Sequence, residues 1–357
     1  MNNKRNETMD YAEIESKMKR RPHVVICGAG ASIAAIPDGD ANGNKISVMK
    51  GFINKLGMAG VISACRLNTN SDNLEDIYME LYERDSESPV FRDARIKLEQ
   101  LIEQYFTTFV IPKAPTAYDY LILGLTKKDL IASFNWDPLL MQAYQRCKKF
   151  TRSLPEIVFL HGNVAIGVCK NDKRVGIADS LCSVCGNPLA RMRLLYPIKN
   201  KDYTSDLYIS DSWRCLQHYL KIAYRLTIFG YSAPKSDIVA RSMLKEAWGK
   251  VEERALEEIE IIDIASEEVV TESWADFIHT HHYSVYNNIF ASAIGMYPRR
   301  TCDVLFDNTM NVRWSSGERG FKDGMNFTEI NKLLVPLLED ETRKKDNEIL
   351  DDPYLIE

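Results

Sequence analysis

No apolar run in this sequence approaches the length needed to span a bilayer. Its first residues, Met1-Asn2-Asn3-Lys4-Arg5-Asn6-Glu7, lack the apolar core of a secretion signal. A basic excess is missing too: 45 Lys and Arg stand against 50 Asp and Glu, for a net charge of −5 and a pI near 5.8. Neither a nucleic-acid backbone nor a membrane is therefore an expected partner. The eight cysteines are scattered, save for Cys169, Cys182 and Cys185. Without a secretion signal, that cluster reads as metal binding or coincidence rather than as disulfides, and the expected location is the cytoplasm. No internal repeat is visible. One motif is also short of a residue. The turn Gly28-Ala29-Gly30-Ala31-Ser32 has two glycines of the dinucleotide fingerprint, but Ile33 takes the place of the third.

What is present suits a large globular core: 357 residues, 45% hydrophobic and 27% charged. The run His23-Val24-Val25-Ile26-Cys27 reads as a buried strand feeding the glycine turn and a helix. Such a turn lets the backbone approach a diphosphate at a helix N-terminus, although a bare strand-to-helix turn would look the same. The loop Ile36-Pro37-Asp38-Gly39-Asp40-Ala41-Asn42-Gly43-Asn44 is dense in turn formers and would lie across a ligand or make a surface excursion.

Residues 49–125 have helical periodicity, with core stripes at Leu74, Ile77, Tyr78 and Leu81 and again at Leu98, Leu101, Ile102, Tyr105 and Phe109. Short apolar runs return at 129–134, 156–160, 226–229 and 259–263, each ending in polar or glycine residues. That pattern is expected of an α/β fold whose parallel sheet gathers ligand groups at its carboxyl edge. The segment from Trp274 to Phe306 is expected to add a last strand or pack on the sheet. The organisation read from this is a charged arm at 1–20 and a catalytic domain at 21–310, with a helical insertion at 49–125 and a small Cys-bearing module at 165–195. An extension follows at 311–357, whose stretch Glu339-Asp340-Glu341-Thr342-Arg343-Lys344-Lys345-Asp346 reads as a mobile tail.

Asn135, in Asn135-Trp136-Asp137-Pro138, and His161, in His161-Gly162, each follow a strand run. A histidine beside glycine is uncovered on one side and can act near neutral pH. An asparagine can hold a water or a ribose hydroxyl without titrating. The set resembles the sirtuin family. Gly28-Ala29-Gly30-Ala31-Ser32 is similar to its glycine motif and Ile36-Pro37-Asp38 to the start of its cofactor loop. Asn135-Trp136-Asp137 is similar to its Asn-x-Asp element, His161-Gly162 to its His-Gly, and Gly230-Tyr231-Ser232 with Ser236-Asp237 to its late Gly-x-Ser motif.

The resemblance implies a Rossmann-like NAD+ domain with a helical insertion and a small zinc-ribbon-like module. It implies that Gly28, Ala29, Gly30, Ala31 and Ser32 cradle the diphosphate, with Pro37 and Asp38 in the covering loop. Asn135 would hold the nicotinamide ribose and a water, Asp137 would shape the nicotinamide pocket, and His161 would be the general base. Gly230, Tyr231, Ser232 and Asp237 would lie on the cofactor, and Asp263 would either bind ribose hydroxyls or cap its strand.

Metal binding is less regular. Cys182-Ser183-Val184-Cys185 supplies one pair, but the partner of Cys169 at matching spacing is Asp172. A structural Zn2+ on Cys169, Asp172, Cys182 and Cys185 competes with a module that has lost its metal. His279, His281 and His282 are a weaker candidate, because adjacent histidines point apart.

Two departures from the family pattern bear on the reaction. Phe134 stands where deacylating sirtuins have a glutamine, and Arg193-Leu194-Leu195-Tyr196-Pro197-Ile198 replaces the strand that pairs with an acyl-lysine peptide. Its proline cannot donate to a ladder. Water is then the expected nucleophile, as in bacterial NAD+-hydrolysing effectors of anti-phage defence. Such an enzyme would be held in check by homo-oligomerisation or a partner protein. The rivals are an NAD-dependent deacylase or ADP-ribosyltransferase, and a non-catalytic module sensing NAD+ or ADP-ribose.

Overall fold

The computed structural model describes residues 10–47, 49–198, 201–232, 237–250, 254–275, 277–278, 282–345 and 348–356. The chain begins with α1 (Tyr11–Arg20) and β1 (His23–Cys27). It then runs as helix through α2 (Ala29–Ala35), α3 (Phe52–Lys55), α4 (Ala59–Ala64), α5 (Leu74–Glu83), α6 (Pro89–Thr107) and α7 (Ala117–Leu123). β2 (Leu130–Ser133), α8 (Leu139–Cys147) and β3 (Glu156–Phe159) follow, and then the short strands β4 (Ile166–Cys169), β5 (Arg174–Ile177) and β6 (Ala190–Arg191). The chain re-enters the main sheet through α9 (Leu207–Ile222), β7 (Arg225–Phe229), α10 (Ile238–Trp248), β8 (Glu258–Ile262), α11 (Glu267–Trp274) and β9 (Tyr283–Tyr286). It finishes with α12 (Ala293–Met296), α13 (Thr301–Thr309) and α14 (Phe327–Arg343).

The fold is mixed α/β. Six parallel strands lie in the order β3-β2-β1-β7-β8-β9, and a separate three-stranded sheet has the order β5-β4-β6. β1 is central and all five of its residues are buried. A strand covered on both faces must be apolar throughout, which is why His23–Cys27 reads as a continuous run. On one side of β1 the sheet continues through β2 and β3, and on the other through β7, β8 and β9. Connections from β1 and β7 therefore diverge, opening a crevice at the carboxyl edge between them.

Helices α5 and α6 bury the expected stripes, Leu74, Ile77, Tyr78 and Leu81 on one and Leu98 and Ile102 on the other. Asn73 caps α5 by accepting from the Glu75 amide, and Ser88 caps α6 with Pro89 in its first turn. Beyond β8, the edge strand Tyr283–Tyr286 is half-buried, and the run from Thr301 to Phe306 is helical rather than extended. No helix among the described residues is long and apolar enough to cross a membrane.

Within the charged stretch expected to be mobile, the residues as far as Arg343 are helical and held. α14 inserts Ile330, Leu334 and Leu337 into the main core, carrying Asp340 and Glu341 onto two fully buried arginines. Arg299 meets Glu341 at 2.5 Å, while Arg300 meets Asp340 and Glu341, each at 3.1 Å. An arginine left unpaired at such depth costs about 3–5 kcal/mol, so losing the acidic partners on this helix would be strongly destabilising.

Candidate active site

The glycine turn is built against a second turn. Gly28 donates to the Phe229 carbonyl and Gly30 to the Gly230 carbonyl, both at 2.9 Å. A Cβ on Gly28 would lie 2.5 Å from the Gly230 oxygen, and one on Gly30 would lie 2.7 Å from the Gly230 Cα. These glycines thus let two backbone turns interlock. Beside them a cavity of about 530 Å³ opens at the carboxyl ends of β7 and β8, lined among others by Gly30, Pro37, Gly230, Asp263, Asn287 and Asp323. Asp263 lines this cavity and also accepts from the Ala265 amide, so both of its anticipated roles are compatible. Ala29, Asp38 and Ser232 are exposed near the turns, and Ala31 is buried. Ser32 points elsewhere, into the network around Asn135.

Asn135, Asp137 and His161 follow β2 and β3, where the last ladder bonds run from Phe134 to Cys27 and from Leu160 to Ser133, each 2.9 Å. Asn163 ties the two loops by donating to the Asn135 carbonyl at 3.1 Å and the Asp137 carbonyl at 2.6 Å. The Asn135 amide nitrogen has two protons for three acceptors, donating to Gly28 O (2.7 Å) and sharing the other between Ser32 Oγ (2.9 Å) and the Tyr118 hydroxyl (3.1 Å). Ser32 Oγ in turn donates to Asp137 Oδ2 at 2.6 Å and lies 2.6 Å from the Tyr118 hydroxyl. Because the one serine proton goes to Asp137, Tyr118 must be the donor to Ser32. Burial raises the Asp137 carboxyl and pushes the Tyr118 phenol well up, which keeps the phenol protonated. The chain of bonds fixes the Asn135 amide and leaves its Oδ1 free to face a ligand among the described contacts.

His161 is held differently. Its Nε2 lies 2.9 Å from the Tyr203 hydroxyl and 3.5 Å from Asp237 Oδ2. Tyr203 donates to Asp237 Oδ1 at 2.9 Å, and Lys201 Nζ sits 3.0 Å from Asp237 Oδ2. Burial lowers the His161 imidazole below its usual range, against the pull of Asp237. Burial alone would raise the Asp237 carboxyl, but His161 and Lys201 hold it well below the usual carboxylate range. Phe134 stacks on Tyr231 at 4.2 Å and meets the His161 ring edge-on at 4.7 Å. Asp237 therefore sits with His161, apart from the cavity that Asp263 and Gly230 share.

Gly162 follows at φ +79°, and a Cβ there would lie 2.0 Å from the Arg193 oxygen. Tyr118, Asn163, Lys201 and Tyr203 escaped the sequence reading. Asn163 directly follows the His161-Gly162 motif and was within reach of a strand-end argument. The buried Tyr231 hydroxyl and Trp136 Nε1 have no hydrogen-bond partner among the described residues, and such groups are ordinarily satisfied by water or ligand.

In the small module, Cys169 closes β4 and Asp172 lies in the turn to β5. Cys182 and Cys185 face them across a tight turn, Gly186 donating to the Cys182 carbonyl at 2.9 Å. Ligand atoms of Cys169, Asp172, Cys182 and Cys185 all lie within 4.8 Å of one another. The Cys169–Cys185 sulfurs are 3.7 Å apart, and Asp172 Oδ2 is 3.2 Å from Cys169 Sγ and 3.3 Å from Cys182 Sγ. Zinc–sulfur bonds of ~2.3 Å in a tetrahedron separate sulfurs by roughly 3.8 Å, so these donors fit Zn2+. Its role there would be structural, holding two hairpins together. Of the rival trio, His279 and His281 lie outside the described residues.

Protein purified without chelator should carry about one zinc per chain, and stripping it should lower Tm by on the order of 5 °C or more. Metal analysis and a thermal melt with and without chelator check this; metal-free protein with an unchanged melt would show that the module stands alone.

No protein-family model matches this chain, and no curated protein matches it. Among solved structures it is similar to a Sir2 protein bound to a p53 peptide and NAD+, at 13% identity over 85% of this chain and 100% of that one, TM-score 0.38. It is similar also to a triple mutant of a Sir2 homologue with 2′-O-acetyl ADP ribose, at 14% identity over 85% and 96%, TM-score 0.41. A Sir2 homologue in complex with NAD is 15% identical over 84% of this chain and 95% of that chain, TM-score 0.38. These similarities are distant, and it is the side-chain arrangement above that bears on chemistry.

Proposed function

We propose that the protein is an NAD+ glycohydrolase that releases nicotinamide and ADP-ribose. The observation that carries this reading is that Asn163 ties the Asn135–Asp137 loop to its own loop, which begins at His161, while Asn135 bonds the Gly28 carbonyl of the glycine turn that borders the cavity at Gly30 and Gly230. The cavity would take the adenosine half, with Asp263 on its ribose hydroxyls. The Asn135–Ser32–Asp137 network would orient the nicotinamide half. The C1′–N bond breaks with its electron pair passing to the ring nitrogen, so the pyridinium leaves as neutral nicotinamide. Water, held on Asn135 Oδ1, then bonds to C1′ of the oxocarbenium-like sugar and gives its proton to His161.

Water is favoured over a peptide acceptor because the chain fills its own slot. Leu195 donates to the His161 carbonyl at 2.9 Å and the Arg193 carbonyl abuts Gly162. Incubation with NAD+ in 18O-labelled water should give nicotinamide and ADP-ribose carrying one label, at a rate unchanged by an acetyl-lysine peptide. Formation of O-acetyl-ADP-ribose would favour a deacylase, and tight NAD+ binding without turnover would favour a sensor.

A further inference from the structure

The contacts of His161 determine which of its nitrogens carries a proton. Asp237 lies 3.0 Å from the Lys201 ammonium and is a carboxylate, which can only accept. The Tyr203 hydroxyl, 2.9 Å from Asp237 Oδ1, must therefore spend its one proton on that oxygen, since otherwise two lone pairs would face each other. Its own oxygen is left as an acceptor. The 2.9 Å contact to His161 Nε2 then needs a proton on the imidazole, and Asp237 Oδ2 at 3.5 Å favours the same proton. With Nε2 protonated, the lone pair of the neutral ring is at Nδ1, which has no hydrogen-bond partner among the described residues.

We propose that Tyr203, backed by Asp237 and Lys201, is a positioning residue that locks His161 in its Nε2–H tautomer and leaves Nδ1 as the nitrogen that takes the proton from water. The proton acceptor's task rests on the glycohydrolase reading, whereas the tautomer does not. The charged groups bearing on this ring are Asp237 and Lys201. Phe134 and Tyr203 supply its aromatic walls, and Trp213 backs both. When Nδ1 takes the proton, the imidazolium is stabilised through Tyr203 by Asp237. Lys201 keeps that stabilisation modest, so the ring can release the proton again.

Tyr203→Phe keeps the ring that packs on Trp213 and removes only the relay oxygen. The ring nitrogens can be followed by 1H–15N long-range NMR on 15N-histidine protein, which has six histidines, with His161 assigned by its loss in His161→Gln. Wild type should show the Nε2–H tautomer, and Tyr203→Phe or Asp237→Asn a mixture or the opposite form. In Tyr203→Phe, kcat should fall on the order of tenfold to a hundredfold with KM for NAD+ within about twofold, and the melt should drop only by the worth of the buried bonds lost. Its acid limb should move to lower pH, because the imidazolium loses the stabilisation that Asp237 gives it through the phenol. An Nδ1–H tautomer in wild type, or an unaltered tautomer and pH profile in Tyr203→Phe, would overturn the proposal. So would a Tyr203→Phe enzyme faster than wild type, which would make the contact a brake. Absence of NAD+ turnover in wild type would instead overturn the glycohydrolase reading, with the NMR result still deciding the tautomer.

Discussion

His161→Ala is expected to slow NAD+ hydrolysis by on the order of 10²- to 10⁴-fold, the usual worth of a positioned general base. Asn135→Ala should fall at least as far, because it removes the group that holds water while also freeing the partners it orders. Ser32 and Tyr118 would each lose a donor, and the buried Gly28 carbonyl a 2.7 Å bond, so about 1–3 kcal/mol of stability should go with it. Asn135→Asp, which keeps the shape, separates the two effects. Turnover and thermal melts on the three variants measure this. Hydrolysis retained within a few-fold in both alanine variants would remove these side chains from the chemistry. The pH dependence carries a sign. A general base works above its own pKa, and burial lowers that of His161, so activity should persist at pH values where an ordinary histidine is already protonated.

Much of the architecture could be read from apolar runs, because a parallel sheet under helices leaves no polar face to blur the signal. His23–Cys27, Leu130–Ser133 and Arg225–Phe229 are buried at every position. The edge strand Tyr283–Tyr286 is half-buried, and Tyr-Ser-Val-Tyr carries no such run. The stretch around Asp340 and Glu341 looked solvated for another reason. Charges read as mobile until their partners are known, and Arg299 and Arg300 belong to a segment some forty residues earlier.

The same limit governs the site. Asn135, Asp137 and His161 could be placed at strand ends from the runs before them. Tyr203 and Lys201 come from a connection with no periodicity, and Tyr118 from a helix whose residues are nearly all buried, so its polar end was indistinguishable from core. Periodicity reports which face is inside. It does not report which hydroxyl meets which carboxylate.

Gly230→Ala is expected to be among the most damaging small substitutions in the chain. Gly230 has φ +59°, which costs an alanine about 1–2 kcal/mol by itself. Its Cβ would lie 2.4 Å from the Ala31 nitrogen and 2.5 Å from the Gly30 Cα, both backbone atoms with no rotamer to move. Relieving that contact means parting the two turns, at a further cost of about 1–3 kcal/mol. The sum, about 2–5 kcal/mol, is a large share of the 5–15 kcal/mol that typically holds a domain together. Gly43→Ala separates conformation from contact, since Gly43 has φ +81° with nothing within 4 Å of a Cβ, and it should cost only about 1 kcal/mol. Urea melts of the two variants should therefore differ by at least about 1 kcal/mol. Nicotinamide release by any folded Gly230→Ala protein should also fall, since Gly30 and Gly230 line the cavity together. Equal melts for the two variants would mean that the turns can separate freely, and that the glycines of Gly28-Ala29-Gly30 are not there for the turn at Gly230. A Gly230-specific loss means that the glycine motif is first a joint between β1 and β7, and that any dinucleotide it holds depends on that joint staying closed.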